Sequence, residues 1–193
     1  LKQLQNIFLF VGDSSSVWDS RLCSITKNFI NGKIFYNPAI GLNQLNLVLN
    51  LLLNAIVSHQ SVLIVDPEKK CYQLLFPYKE VLSQNNIFYI SKISDGFFTN
   101  KNSTSGSQVQ KTPSIVLFFS VNKSIPLIID LKKSGSVTIG FVSKYTSFLD
   151  FSIYSNRFNS EFCYLISVFL IFISQKGLSS PCYNKFLNEK SKL

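Results

Sequence analysis

Hydrophobic positions along the chain follow two rhythms. Residues 61–65 (Ser-Val-Leu-Ile-Val), 114–120 and 137–142 are apolar almost without interruption, the pattern of strands covered on both faces of a sheet. Residues 86–91 and 33–36 are further strand candidates, the second following an Asn31-Gly32 turn. Between these blocks the spacing changes to that of helices. Asn43, Asn46, Asn50 and Asn54 recur three or four positions apart within 42–58. They therefore share one helical face and leave Leu45, Leu49, Leu52, Leu53 and Ile56 for a core. Asp66-Pro67-Glu68 reads as a helix start, with Asp as N-cap and Pro at the first helical position. That helix should reach residue 76, be interrupted by Pro77 and continue to 83. Residues 123–133, closed by Gly135, and 160–174 complete the helices.

Strands alternating with helices imply right-handed crossovers and a mostly parallel sheet. The expected fold class is α/β: a doubly wound, flavodoxin-like three-layer sandwich. Residues 1–176 read as one domain. Within it, 101–112 is a loop rich in Ser, Gly, Gln and Asn. Residues 177–193 read as a basic tail, with Lys185, Lys190 and Lys192 against Glu189.

Charge adds a class of partner. The 193 residues carry 19 Lys and Arg against 10 Asp and Glu, a net +9, and such a surplus favours a polyanion: nucleic acid or an acidic membrane surface. Mean hydropathy is +0.21, yet the apolar run 162–173 is shorter than the roughly 20 residues of a spanning helix, and 42–57 holds four Asn. No membrane span is expected. The four cysteines, Cys23, Cys71, Cys163 and Cys182, form no CxxC pair, so reduced and mostly buried thiols are expected rather than a zinc site. Residues 1–10 match neither a secretory signal nor an Arg-rich presequence. The 18 Phe and 8 Tyr against 8 Gly and 6 Pro follow AT-rich codons and point to an organelle gene. The absence of Met reads as a processed, truncated or unusually started chain.

Catalytic patterns are absent from the sequence. Phosphate cradles need GxGxxG or GxxxxGK[ST] so that backbone can approach the anion; after Val65 stands Asp-Pro-Glu, and after Phe119 stands Ser-Val-Asn-Lys. His59, at the end of a helix, reads as a capping or surface residue. No cofactor, metal or small-molecule substrate is expected. What recurs instead is a cation or hydroxyl beside an aromatic: Trp18 with Arg21, Lys92, Thr99-Asn100-Lys101, Lys144-Tyr145 and Arg157-Phe158. Cations neutralise phosphates, Thr and Asn bond phosphate or sugar oxygens, and aromatics stack on unpaired bases.

Taken in order, these segments resemble the universal small-subunit ribosomal protein two family. Phe10-Val11-Gly12 followed by Trp18 resembles its opening HFGH and RRW, and Asn31-Gly32 with Ile34-Phe35 its NGIHIIDL strand. Residues 61–65 are similar to KILFVG. Phe88-Tyr89-Ile90-Ser91, then Lys92 and Asp95-Gly96-Phe97-Phe98-Thr99-Asn100, resemble FYVN followed by RWLGGTLTN. Residues 113–119 resemble PDALIVID, 137–142 IPVIAIVDTN, and 150–156 DYPIPGN. Departures are Asp13 for the family's histidine, Ile93 for its tryptophan, Asp95 for a glycine, Ser143-Lys144-Tyr145 for DTN, and Arg157 and Phe158 for two acids. The long helical hairpin arm of bacterial relatives is missing, with 101–112 in its place. Such drift fits a mitochondrial member, organelle-encoded and placed in the matrix.

The resemblance implies a doubly wound sheet docked on small-subunit ribosomal RNA beside neighbouring ribosomal proteins, with an architectural role in translation and no enzyme activity. The residues expected to contact RNA are Arg21, Lys27, Lys92, Thr99, Asn100, Lys101, Lys144 and Arg157. The alternatives are a flavodoxin-like nucleotide-binding enzyme or sensor with degenerate motifs, and a basic peripheral membrane protein.

Overall fold

The computed structural model describes residues 11–66, 69–90, 112–119, 121, 125–142, 146–154 and 160–176. The first element is a sheet that the periodicity did not announce. Strands β1 (Val11–Ser14), β2 (Thr26–Ile30) and β3 (Lys33–Tyr36) pair antiparallel in the order β1-β3-β2. Asn31 (φ 50°) and Gly32 (φ 70°) form the two-residue loop between β2 and β3. Both angles are positive, the requirement of the tight hairpin turn that Asn-Gly serves best. Strand β3 was expected; β1 and β2 were not, and β3 lies in this small sheet rather than the parallel one.

Helix α1 (Pro38–Val57) starts four residues earlier than the amide pattern predicts. Asn37 accepts from the Ala39 N–H at 3.1 Å and Pro38 takes the first turn, an N-cap and N1 pair with the same logic as proposed for Asp-Pro elsewhere. At its other end His59 takes the left-handed region (φ 54°). The Gln60 N–H reaches the Ala55 carbonyl at 2.8 Å and the His59 N–H that of Ile56 at 3.1 Å. These two bonds close the helix in the way that usually selects glycine. At 20 residues, α1 is long and apolar enough to cross a bilayer by length and composition. In this fold Leu45, Val48, Leu52 and Ile56 belong to the core, and the helix packs on β8 and β4. Asn43, Asn46 and Asn54 are exposed.

The second sheet has five parallel strands: β4 (Val62–Val65), β5 (Ile87–Ile90), β6 (Ile115–Phe118), β7 (Val137–Val142) and β8 (Phe151–Tyr154). Their spatial order is β5-β4-β6-β7-β8. Numbered within this sheet that is 2-1-3-4-5, the doubly wound flavodoxin-like order. The connections are α2 (Lys69–Leu75), a 3-10 turn at Phe76–Tyr78 that holds Pro77, and α3 (Lys79–Gln84) between β4 and β5, then α4 (Ile125–Lys133) between β6 and β7. These two crossovers step in opposite directions from the centre of the sheet, so right-handed connections place α2 and α3 on one face and α4 on the other. Helix α5 (Ser160–Lys176) packs beside α2 and α3. Asp66 adopts φ 49° rather than the extended backbone of an N-cap, and its N–H bonds the Ile90 carbonyl at 2.9 Å. It therefore ends β4 instead of opening α2; Pro67 and Glu68 lie outside the described residues.

Every residue of β4 and β6 is buried, as their unbroken apolar runs require. Gly140 in β7 has a reason of its own. A Cβ there would lie 2.6 Å from Leu149 Cδ1 and 2.7 Å from Val121 Cγ2, because the segments after β6 and before β8 fold over this strand. At the opposite end of β7, Asp150 accepts from the Thr138 N–H and hydroxyl, each at 2.8 Å, and pairs with Lys132 at 3.1 Å. Partial burial pushes the Asp150 carboxyl up, but these donors outweigh it and hold the group below the usual carboxylate range. Cys71 and Cys163 are buried and Cys23 is exposed; Cys182 lies outside the described residues, as does the tail 177–193.

Candidate nucleic-acid interface

The small antiparallel sheet brings Trp18 and Phe29 together beside exposed lysines. Trp18 lies between two 3-10 turns (Ser15–Val17 and Ser20–Leu22) and is half-buried. Its indole N–H donates to Thr26 Oγ1 at 3.1 Å, and the Thr26 hydroxyl donates to the Leu22 carbonyl at 2.9 Å. Leu22 is fully buried, so this relay ties the loop that carries Trp18 to the core. The edge of the indole meets the Phe29 ring at 5.7 Å and 81°, a favourable T-shaped pair. Phe29 keeps 51% of its surface exposed.

Around this pair β2 presents Lys27 and Asn28, both exposed, and Lys33 stands exposed just past the turn. Among the described residues, neither Lys27 nor Lys33 has a carboxylate within ion-pair distance. Arg21 differs. Its guanidinium grips Asp19 with Nε at 2.9 Å and Nη2 at 2.6 Å, while the Asp19 side chain also caps the turn through the Arg21 N–H at 2.9 Å. Those bonds hold the Asp19 carboxyl well down, at about 2. A forked guanidinium–carboxylate pair occupies the donors that would otherwise grip phosphate. Of the two predicted cations described, Lys27 is thus available and Arg21 is engaged. Lys33 and Phe29 were missed; the Asn-Gly turn followed by alternating residues was the signal that could have placed them on one hairpin.

The other six predicted contacts, Lys92, Thr99, Asn100, Lys101, Lys144 and Arg157, lie outside the described residues. In sequence they come after β5, β7 and β8. The strand order reverses between β4 and β6. What is described of that switch point is Asp66, and Phe119 and Val121, both buried, with Phe119 edge-on to Phe141 at 5.8 Å. An acid and packed apolar groups stand there. Among the described residues no cluster of three His, Cys, Asp or Glu could hold a metal ion.

The fold thus defines a doubly wound α/β domain with an antiparallel, basic and aromatic appendage. No protein-family profile matches the chain, and no curated protein matches it either.

Proposed function

We propose that this chain is a structural constituent of the small subunit of a mitochondrial ribosome, where it holds small-subunit ribosomal RNA and touches neighbouring ribosomal proteins, without catalysing a reaction. The observation that carries this reading is the ordered series of segments that resembles the universal small-subunit ribosomal protein two family. Their described parts include residues of successive strands: 62–65 in β4, 88–90 in β5, 115–118 in β6, 137–142 in β7 and 151–154 in β8. A fold of this kind hosts many functions, so the weight rests on the series and on the surplus of positive charge. Lys27 and Lys33 supply phosphate contacts in this reading, and Trp18 with Phe29 an aromatic face for an unpaired base.

The test is sedimentation of the tagged native protein from mitochondrial extracts through sucrose gradients. Comigration with small subunits at low salt and release at high salt is the expected result. The purified chain should also bind RNA with an affinity that falls steeply as salt rises, with a slope of about −0.9 per duplex phosphate contacted. A protein found only in fractions free of subunits, or one that binds a small nucleotide independently of salt, would overturn the proposal.

A further inference from the structure

Two residues of β2 meet the same indole although they stand three apart in the strand. Trp18 donates its N–H to Thr26 and lies against Phe29, yet positions an odd number apart in a regular strand face opposite sides of the sheet. The pairing resolves this. Thr26 stands opposite Tyr36, Asn28 opposite Phe35, Phe29 opposite Ile34 and Ile30 opposite Lys33, with a shift of register between Thr26 and Asn28. Two steps along β2 there match one along β3, so β2 holds an extra residue, which turns Thr26 onto the face of Phe29. Opposite residues share a face, and this one is the inner face, because Ile34 and Tyr36 are buried on it. Asn28, Ile30 and Lys33 belong to the outer face.

The two rings are held differently. The indole of Trp18 is half-buried, with its N–H engaged by Thr26 and, through the Thr26 hydroxyl, tied to the carbonyl of buried Leu22. Phe29 is fixed on one side by that indole and keeps 51% of its surface in solvent. What can use this surface follows from its surroundings. The exposed apolar residues of the hairpin, Phe29 and Ile30, lie on opposite faces, so they form neither a single wedge for a bilayer nor a continuous apolar patch for a protein. The extra residue and Lys27 blunt β2 as an edge for strand addition. Against Lys27, Lys33 and Arg21 the unit 11–36 carries two acids: Asp19, closed on Arg21, and Asp13 on β1, which β3 separates from β2. Helix α1 and β8, whose Tyr154 meets Tyr36, contain no charged residue. One open ring near unpaired lysines suits a base with its phosphates, and a base offers its face to an aromatic ring only outside a duplex.

On the RNA-binding reading above, we infer that the hairpin takes single-stranded RNA in preference to duplex, with one unpaired base stacked on Phe29. Trp18 is the rigid backing of that ring and takes no base itself. Thr26 is the positioning residue: it fixes Trp18, and the extra residue in β2 is what brings it to the same face as Phe29.

Trp18 is the single tryptophan of the chain, so its emission reports on this site alone. The full 193-residue chain is titrated with a fluorescein-labelled short oligouridylate and with an RNA duplex of the same length, read by anisotropy; Trp18 emission is followed with the unlabelled strand. The single strand should bind more tightly and change the emission. Phe29→Ala should weaken it about tenfold and alter duplex binding less than about twofold, and Phe29→Tyr should bind as the parent does. Thr26→Val should open Trp18 to acrylamide quenching and weaken the single strand several-fold with the salt slope unchanged, because no cation is lost. Thr26→Ser keeps the hydroxyl and should match the parent. Trp18→Phe, which has a ring but no N–H for Thr26, should lose affinity as Thr26→Val does and replaces it if that variant does not fold. Equal losses for both RNAs in Phe29→Ala, no loss in either, or emission indifferent to the single strand sinks the inference. Binding to phosphatidylserine vesicles that Phe29→Ala abolishes, with no oligouridylate bound, also overturns it. Should the native protein comigrate with small subunits while Phe29→Ala holds oligouridylate like the parent, the inference falls and the ribosomal reading stands. Phe29-dependent binding by a protein absent from subunits does the reverse.

Discussion

The two sheets of this protein are built from strands of similar length and could hardly be used more differently. In the parallel sheet β4 and β6 are buried at all positions, whereas in the antiparallel sheet four of the five residues of β2 are exposed. Ile64 and Ile30 make the contrast concrete: the first has no accessible surface and the second keeps 47%. The buried sheet is held by apolar transfer and packing, which scale with the area removed from water. In the antiparallel sheet β3 is anchored through buried Ile34 and Tyr36, the latter 5.5 Å from the Tyr154 ring. Exposed β2 is held by backbone pairing, the Asn-Gly turn and the Trp18–Phe29 pair, and the lysines of the hairpin stay in solvent. Stability and surface chemistry are thus divided between the sheets.

Paired substitutions probe that division. The largest effect should come from Ile64→Ala, which leaves a cavity in β4 and should cost about 2–5 kcal/mol in chemical denaturation. Ile30→Ala on β2 should stay within about 0.5 kcal/mol. Similar losses at the two positions would erase the contrast. Gly140→Ala should come next, at about 1–3 kcal/mol, since its methyl group would be driven between Leu149 and Val121. Gly32→Ala has open space around it but a φ of 70°, so only backbone strain opposes it. A loss of about 1 kcal/mol is expected.

Smaller effects belong to the carboxylates. Asp150, with its lowered folded value, contributes stability that is complete above the ordinary Asp range near 4. That contribution fades as pH falls through the lower folded value. Denaturation between pH 2 and 6 should show a shallower acid limb in Asp150→Asn than in the parent; an unchanged limb would mean that its bonds to Thr138 and Lys132 contribute nothing. On the exposed sheet, Asp19→Asn removes the partner that engages Arg21. If this sheet meets RNA, the salt slope of binding should steepen by up to about 0.9, one more phosphate contact. Lys27→Glu should flatten it by a similar amount.

The parallel sheet was legible because strands covered on both faces spell continuous apolar runs, and β7 occupies the predicted residues 137–142. Helix α1 was legible through its asparagines, although its start was misplaced because Asn37-Pro38 marks the cap outside the amphipathic pattern. Strand β2, Thr-Lys-Asn-Phe-Ile, has no apolar run and little alternation, since almost nothing covers it; β1, Val-Gly-Asp-Ser, and β8, Phe-Ser-Ile-Tyr, carry no unbroken apolar run either. For such segments the pairing partner supplies the evidence, and it lies elsewhere in the chain.

By itself, then, the sequence determined the periodic elements, their α/β alternation, the missing phosphate cradles and the positive charge, because each is written locally in spacing or residue type. Only the tertiary structure decided the strand order, the separate antiparallel sheet, the capture of Arg21 by Asp19 and the meeting of Thr26 and Phe29 on the Trp18 indole. These depend on which distant segments meet. A lysine available to phosphate and an arginine closed on a neighbour read alike in one dimension, and so do a phenylalanine turned inward and one turned to solvent.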